Sequence, residues 1–171
     1  MDSDVSDVKK FDGKEWSVVL NCGQPITLPD GTVLGNFQSG LYKNIEIKSN
    51  DLFVVEVGDR RGVTDEHADQ IRDEWTPVYD LFPLRQFKGA DFFRSPPTEM
   101  GDFSFSFWYS GDNFAGAIHN KHDFYELHTQ ILGVGEMQKF HEEDESTLYE
   151  RVLMVPGQTH RPFFDTTGKY P

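Results

Sequence analysis

Short apolar segments separated by turn residues fill the first third of the chain after a polar start. They are rich in β-branched and aromatic side chains, a composition that favours strands. Pro29-Asp30-Gly31 is the strongest turn signal among them. The pattern predicts meander strands at 16–20, 26–28, 32–37, 45–47 and 52–57.

The hydrophobic period changes between Thr64 and Trp75. Over this range Ala68, Ile71 and Trp75 fall on one face of a helix. Thr64 is a good N-cap, and two acidic residues follow it where the helix dipole favours negative charge. One helix is therefore predicted here, ended by the proline at position 77.

The clearest period-two alternation lies in the second half of the chain, at Asp102–Tyr109. It predicts one strand with an aromatic face and a second face that carries two serines and a tryptophan. Further strands are predicted at 136–140 and 148–155, on either side of an acidic turn at 142–146. Repeated turn signals between these strands predict an antiparallel barrel built around residues 100–164, with the helix outside the sheet.

Length and composition favour one mainly β domain. A chain of 171 residues can bury one good core, and 14% of the residues are aromatic, as suits a β-rich interior. We expect a flexible N-terminal tail at 1–14 and a single domain at 15–171. Eleven residues follow His160, so we expect the open edge of such a barrel to be covered by an N-terminal strand, by a partner subunit or by the rest of a longer chain. A homodimer is expected.

The formal net charge of −13 argues against nucleic-acid and anionic-membrane partners, because such a surface repels phosphate groups. The single cysteine, Cys22, excludes an intrachain disulfide framework and is interpreted as a small core residue. The first residues are acidic where a signal peptide would be basic, and no long apolar run occurs. A cytoplasmic protein is expected.

Imidazole and carboxylate side chains recur with strand parity in two segments of the C-terminal half. His122, Glu126 and His128 fall on one face of a regular strand, and His160 follows a Pro-Gly turn at 156–157. Three imidazoles and one carboxylate can bind Fe(II), Mn, Ni, Cu or Zn and leave positions open. His67 and His141 are interpreted as structural, since one lies in a polar helix and the other at an acidic turn.

These segments resemble the two motifs of the cupin superfamily. The first motif is His-x-His, three or four residues, Glu, six residues and Gly; here His122 takes the place of the second His, followed by Glu126 and Gly133. The second is Pro-x-Gly-x-x-His, matched by Gly157 and His160. The resemblance covers the last third of the chain, and it implies a metal-binding jelly-roll barrel with one or two short helices outside and its metal-motif region at 116–164.

The match departs from the family at two positions: Asn120 stands in place of the first His, and the Pro of the second motif is displaced to Pro156, next to Gly157. Strand parity makes His128 the replacement, so that His122, His128 and His160 bind the metal with Glu126 as a fourth ligand or an orienting acceptor. Two His plus Glu126 remains an alternative. A β-bulge could instead bring in His119.

What the resemblance implies is an enzyme that acts on a small polar organic substrate through one divalent ion, with Fe(II) favoured. A mononuclear non-haem iron oxygenase comes ahead of an isomerase, epimerase or lyase, and Glu126 and Gln130 are the candidate catalytic residues. A non-catalytic, small-molecule-binding cupin is the alternative of another class.

Overall fold

β-strands dominate the part of the chain that the computed structural model describes, residues 10–60, 62–112, 114–118 and 126–160. In chain order the strands are β1 (Lys10–Gly13), β2 (Ser17–Asn21), β3 (Ile26–Thr27), β4 (Val33–Leu34), β5 (Gln38–Tyr42), β6 (Ile45–Lys48), β7 (Leu52–Glu56), β8 (Thr76–Pro77), β9 (Phe92–Arg94), β10 (Thr98–Met100), β11 (Phe103–Phe105), β12 (Trp108–Ser110), β13 (His128–Thr129), β14 (Gly135–Phe140), β15 (Leu148–Met154) and β16 (Thr159–His160). The helices are α1 (Asp65–Glu74) and α2 (Val78–Leu81). The predicted mainly β class is confirmed.

The strands pair in short antiparallel ladders. Within the described ranges these are β1–β6, β3–β4, β5–β2–β7, β13–β16 and β14–β15, together with β10–β11 and β12–β9–β8, and they do not close into a barrel. The chain divides into two compact units, one of residues 1–62 with 118–171 and one of residues 63–117. Of the α-helices in the described residues, neither is both long and apolar enough to cross a membrane.

The first unit is organised around β2. Every residue of this strand is buried, and the strand pairs on both edges, with β5 and β7. The side-chain amide of Asn21, which is fully buried, donates to the carbonyl oxygens of Gln24, Leu34 and Gly35 at 2.9–3.1 Å. These bonds satisfy the amide inside the core and hold the β3–β4 hairpin against β2.

The β3–β4 hairpin forms at the predicted turn. Asp30 Oδ1 accepts from the backbone N–H of Thr32 at 2.9 Å, and Gly31 takes the left-handed conformation, with φ of 86°. Its apolar side chains Leu28 and Leu34 join the core with Val19 and Ile47. Local turn chemistry and burial therefore agree at this hairpin.

The helix of the second unit begins as predicted. Thr64 is the N-cap, and its hydroxyl accepts from the backbone N–H of His67 at 3.4 Å. Arg72 ties α1 to its surroundings through two bonds to the Asp91 carboxylate, at 2.8 and 2.6 Å. The pair lowers the pKa of Asp91, chiefly through the hydrogen bond from Arg72.

The prediction of one strand over Asp102–Tyr109 is wrong. The segment forms β11 and β12, which pair with β10 and β9 respectively, and the chain changes partner between them. At the change, Ser95 holds Phe107 from two sides: its backbone N–H donates to the Phe107 carbonyl at 2.9 Å, and its hydroxyl accepts from the Phe107 N–H at 2.9 Å. Phe107 stacks on Trp75 instead of continuing the aromatic face.

The predicted C-terminal hairpin is confirmed. β14 pairs with β15 along its length, with a register shift between Lys139 and Phe140. In the acidic turn, the Asp144 carboxylate accepts from the backbone N–H of Ser146 at 2.8 Å, which caps a single 3-10 turn. The hairpin leads directly into the turn that precedes His160.

Candidate metal centre

The two motif segments meet as the antiparallel strand pair β13–β16. His128 lies directly opposite His160, and Thr129 lies opposite Thr159. Directly opposed residues project to the same side of a sheet, and consecutive residues project to opposite sides. The two imidazoles therefore share one face of the strand pair, and the two threonines share the other.

A turn at 155–158 places His160 in this register. The Gly157 N–H donates to the Gln130 carbonyl at 2.9 Å, and the Gln130 N–H donates to the Gln158 carbonyl at 2.9 Å. Gly157 has φ of 86°, which is the region that favours glycine. The Pro-Gly pair read from the sequence thus sets the strand that carries the histidine.

His160 is buried, with 6% of its surface exposed. Burial, with smaller contributions from His128 and Lys139, lowers the pKa of His160 from 6.5 to about 4. The side chain is therefore neutral at pH 7. A neutral imidazole carries one nitrogen lone pair, the form in which histidine binds a metal.

Glu126 brings a carboxylate to the same end of β13. Its Oε2 lies 3.4 Å from Nε2 of His128, and the two side chains are 33% and 42% exposed. A solvent-exposed ion pair of this kind adds little to the free energy of unfolding. Its importance here is as a pair of possible metal ligands. Two imidazoles and one carboxylate form a donor set that fits Fe(II) and leaves positions for other ligands.

The predicted site residues are only partly within the described structure. His122 lies outside the described residues, as do His119 and Asn120, so the choice between them stays a prediction. Within the described ranges, His, Cys, Asp and Glu side chains form no group of three or more that could hold a metal ion. The structure brings Glu126 to His128 and sets His128 opposite His160; the complete ligand set remains a prediction.

Gln130 holds the end of β13 in place. Its side-chain amide donates to the Leu132 carbonyl at 2.6 Å, and its backbone bonds to the turn at 157–158 on both sides. The catalytic role of Gln130 stays a prediction. Its contacts fit a residue that positions the strand pair.

The other histidines and the cysteine have contacts of a structural kind. His67 Nδ1 lies 2.6 Å from the Thr64 hydroxyl at the start of α1, and His141 stacks on Tyr149 with ring centroids 4.3 Å apart. Cys22 is buried, and burial raises the pKa of its thiol. A raised thiol pKa disfavours the thiolate, in agreement with a core residue.

Strand β5 contacts β16 and the turn that precedes His160, and the sequence pattern did not predict this strand. The Ser39 hydroxyl donates to the Gly157 carbonyl at 2.7 Å and lies 2.6 Å from Oγ1 of Thr159, which lies 2.6 Å from Oγ1 of Thr129. Ser39 has one hydroxyl hydrogen, so Thr159 donates to Ser39 and Thr129 donates to Thr159. The segment Gln38–Tyr42 contains Ser and Gly in place of the apolar alternation that marks a strand.

The burial of His160 predicts a pH-dependent stability. Because the folded protein resists protonation at this site, the unfolded chain binds more protons below pH 6.5, and the free energy of unfolding falls as the pH drops toward 4. Between pH 7 and pH 5 the loss from this group should be about 2 kcal/mol.

Urea unfolding of metal-free protein at both pH values measures this loss. The His160→Gln variant is the control, since it keeps every other titrating group. The decrease in the wild type should exceed that in the variant by about 2 kcal/mol. Equal decreases would contradict a buried, neutral His160.

Comparisons of the chain with protein-family models, with curated proteins and with solved structures found no match. The cupin resemblance therefore rests on the motif residues themselves. The strand pair that sets His128 opposite the motif residue His160 is the structural observation from which function can be argued.

Proposed function

We propose that this protein is a metal-dependent enzyme of the cupin type, with a jelly-roll barrel as its complete fold. In this proposal His122, His128 and His160 bind one divalent ion, with Glu126 as fourth ligand or orienting acceptor. Iron(II) is the favoured ion, and the reaction is a dioxygen-dependent oxidation of a small polar substrate.

The observation that carries the proposal is the cross-strand pairing of His128 with His160. Two imidazoles directly opposite each other on one sheet face are close enough in backbone position to share an ion. One of them is buried and neutral, so it needs no deprotonation before it can donate its lone pair.

Glu126 and His122 complete the proposed set. The carboxylate of Glu126 lies beside His128, where it can accept a proton from a substrate or bind the ion directly. His122 enters from the sequence alone, four positions before Glu126. Gln130 holds β13 against the turn at 157–158, and we assign it the positioning of His128.

When bound, Fe(II) supplies the one-electron chemistry that dioxygen needs in order to react with an organic molecule. The residues of the chain supply the rest. They hold the ion through imidazole nitrogens, leave positions open for substrate, and in Glu126 offer a carboxylate that can move a proton.

Oxygen uptake by Fe(II)-loaded protein tests this proposal. Small organic acids, phenols and sugars are supplied in turn, and uptake is followed with an oxygen electrode for the wild type and for His122→Ala. We expect at least one substrate class to be consumed with uptake at least about 100-fold faster in the wild type, because a missing ligand costs more than a missing outer-shell partner. The His67→Ala variant should match the wild type.

Two outcomes would change the assignment. Equal uptake by wild type and His122→Ala would exclude the proposed site as the source of the activity. Metal-dependent turnover that continues under nitrogen would move the reaction to the isomerase or lyase class, with the ion as a Lewis acid.

A further inference from the structure

A cleft of about 610 Å³ lies in the first unit, on the side of β16 away from the imidazoles. Its walls are Thr32–Leu34, Phe37–Ser39 with Tyr42, and the turn Val155–Thr159. Thr159 lines the cleft, and the next residue, His160, projects to the opposite face of the strand pair. The cleft is therefore separate from the proposed metal centre.

The lining of this cleft is uncharged. Among the described residues that line it there is no Asp, Glu, Lys, Arg or His, although 26% of the residues in the chain are Asp, Glu, Lys or Arg. The side chains that remain are hydroxyls, amides and apolar groups. A charged ligand would find no opposite charge here, and a neutral ligand would avoid the repulsion that the acidic surface imposes on anions.

Hydrogen bonds to the backbone orient the two carboxamides of the lining. Gln38 Oε1 accepts from the Gly35 N–H at 2.7 Å, and Gln158 Oε1 accepts from the Val155 N–H at 3.4 Å. Each carboxamide is thereby oriented, which leaves its NH₂ group as the donor end. The pKa of Tyr42 is raised, first by burial and then by Asp30, so its phenol also stays a donor.

One aromatic residue of the cleft is held in a strained backbone conformation. Phe37 has φ of 54°, a region that bulky side chains rarely adopt, and its N–H is bonded to the Asn21 carbonyl at 2.7 Å. A Cβ at Gly40 would lie 2.6 Å from the Tyr42 hydroxyl oxygen, so glycine at this position leaves room for the Tyr42 side chain. Strained residues of this kind cluster at ligand sites, because the ligand uses the geometry that the strain maintains.

We propose that this cleft binds a neutral, polyhydroxylated small molecule of the mono- or disaccharide class. The NH₂ groups of Gln38 and Gln158 and the phenol of Tyr42 are donors that match sugar hydroxyls. The aromatic side chains that line the cleft, Phe37 and Tyr42, suit the apolar face of a pyranose ring. The cleft volume lies within the range of small-molecule sites. This site goes beyond the proposed metal chemistry and does not depend on it.

Calorimetric titration of metal-free protein with neutral sugars tests the proposal. Glucose, galactose, mannose, maltose and cellobiose are the probes, and glucose 6-phosphate and glucosamine are the matched charged sugars. We expect saturable binding of at least one neutral sugar, unchanged by chelator, and binding of the charged derivatives at least about tenfold weaker. Amide resonances of Gly157 and Gln158 should shift on binding.

Variants locate the binding. Phe37→Gly removes the ring at a positive φ, a backbone conformation that glycine adopts without strain, so the circular dichroism spectrum should be retained. Binding should weaken at least about tenfold. Tyr42→Phe keeps the ring and removes the hydroxyl, and it should weaken binding several-fold. Tyr79→Phe, in the second unit, is the control and should bind as the wild type does.

Three results would overturn the assignment. The first is no saturable binding of any neutral sugar up to about 100 mM. The second is equally tight binding of a charged derivative, which would reject the neutral class. The third is wild-type affinity in Phe37→Gly, which would place the ligand elsewhere.

Discussion

Replacement of His160 by Ala should remove the bound divalent ion, with a loss of affinity of at least about 100-fold. The imidazole is buried opposite His128, so no exposed side chain of the strand pair can take its place without moving the backbone. Metal content after loading with Fe(II) or Zn(II), measured on protein without a polyhistidine tag, checks this. The wild type should hold one ion per chain.

His128→Ala and His67→Ala make this experiment specific. His128 is 42% exposed at its side chain, so its removal should leave the fold intact and still cost the metal. His67 contacts Thr64 at the start of α1, and its removal should leave metal content unchanged. Full metal occupancy in His160→Ala would show that the site assignment is wrong.

Gly157→Ala should cost about 2–5 kcal/mol of unfolding free energy, from a left-handed backbone and a steric overlap together. Gly157 has φ of 86°, and a Cβ there would lie 2.6 Å from the backbone nitrogen of Leu41 and 2.8 Å from the carbonyl carbon of Gly40. Backbone atoms of a paired strand cannot give way as a flexible side chain can. Urea unfolding at neutral pH measures the loss.

Gly31→Ala is a matched control for this substitution. Gly31 has the same φ of 86°, but a Cβ at this position would meet nothing within 4 Å among the described residues. It should show the backbone cost alone, about 1–2 kcal/mol. Equal losses in the two variants would contradict the close approach of β5 to the turn at Gly157.

Local signals account for the elements that the sequence predicted well. The cap at Thr64 and the turn at Asp30-Gly31 each depend on side chains and backbone within four residues of one another. The β14–β15 hairpin likewise joins neighbouring segments through a short acidic turn. Such contacts form from adjacent residues, so a single sequence carries the information for them.

The failure at Asp102–Tyr109 has a different origin. Its alternation is real, and Phe103 and Phe105 are both partly buried with Ser104 exposed between them. The strand ends because Ser95, twelve positions away from Phe107, holds that residue from two sides. The alternation of apolar and polar residues does not reveal which distant residue will pair with the chain and end the strand.

Strand β5 shows the same limit at the candidate site. Ser39 and Gly40 look unlike strand residues, yet they pair with β2, and Ser39 contacts the turn at Gly157 more than a hundred positions later. The need for glycine at position 157 appears in the sequence as a Pro-Gly turn. The crowding that makes it costly to replace is a property of the folded chain.

Sequence by itself determined the mainly β class, the helix cap, the turns, and the two segments that carry His128 and His160, because each depends on spacing within a segment. Tertiary structure alone decided that these two histidines lie directly opposite each other, that His160 is buried and neutral, and that an uncharged cleft lies behind them. Strand register, burial and cavity shape arise from contacts between segments that are distant in the sequence. The pKa of a buried group likewise depends on all the residues that surround it in the folded chain.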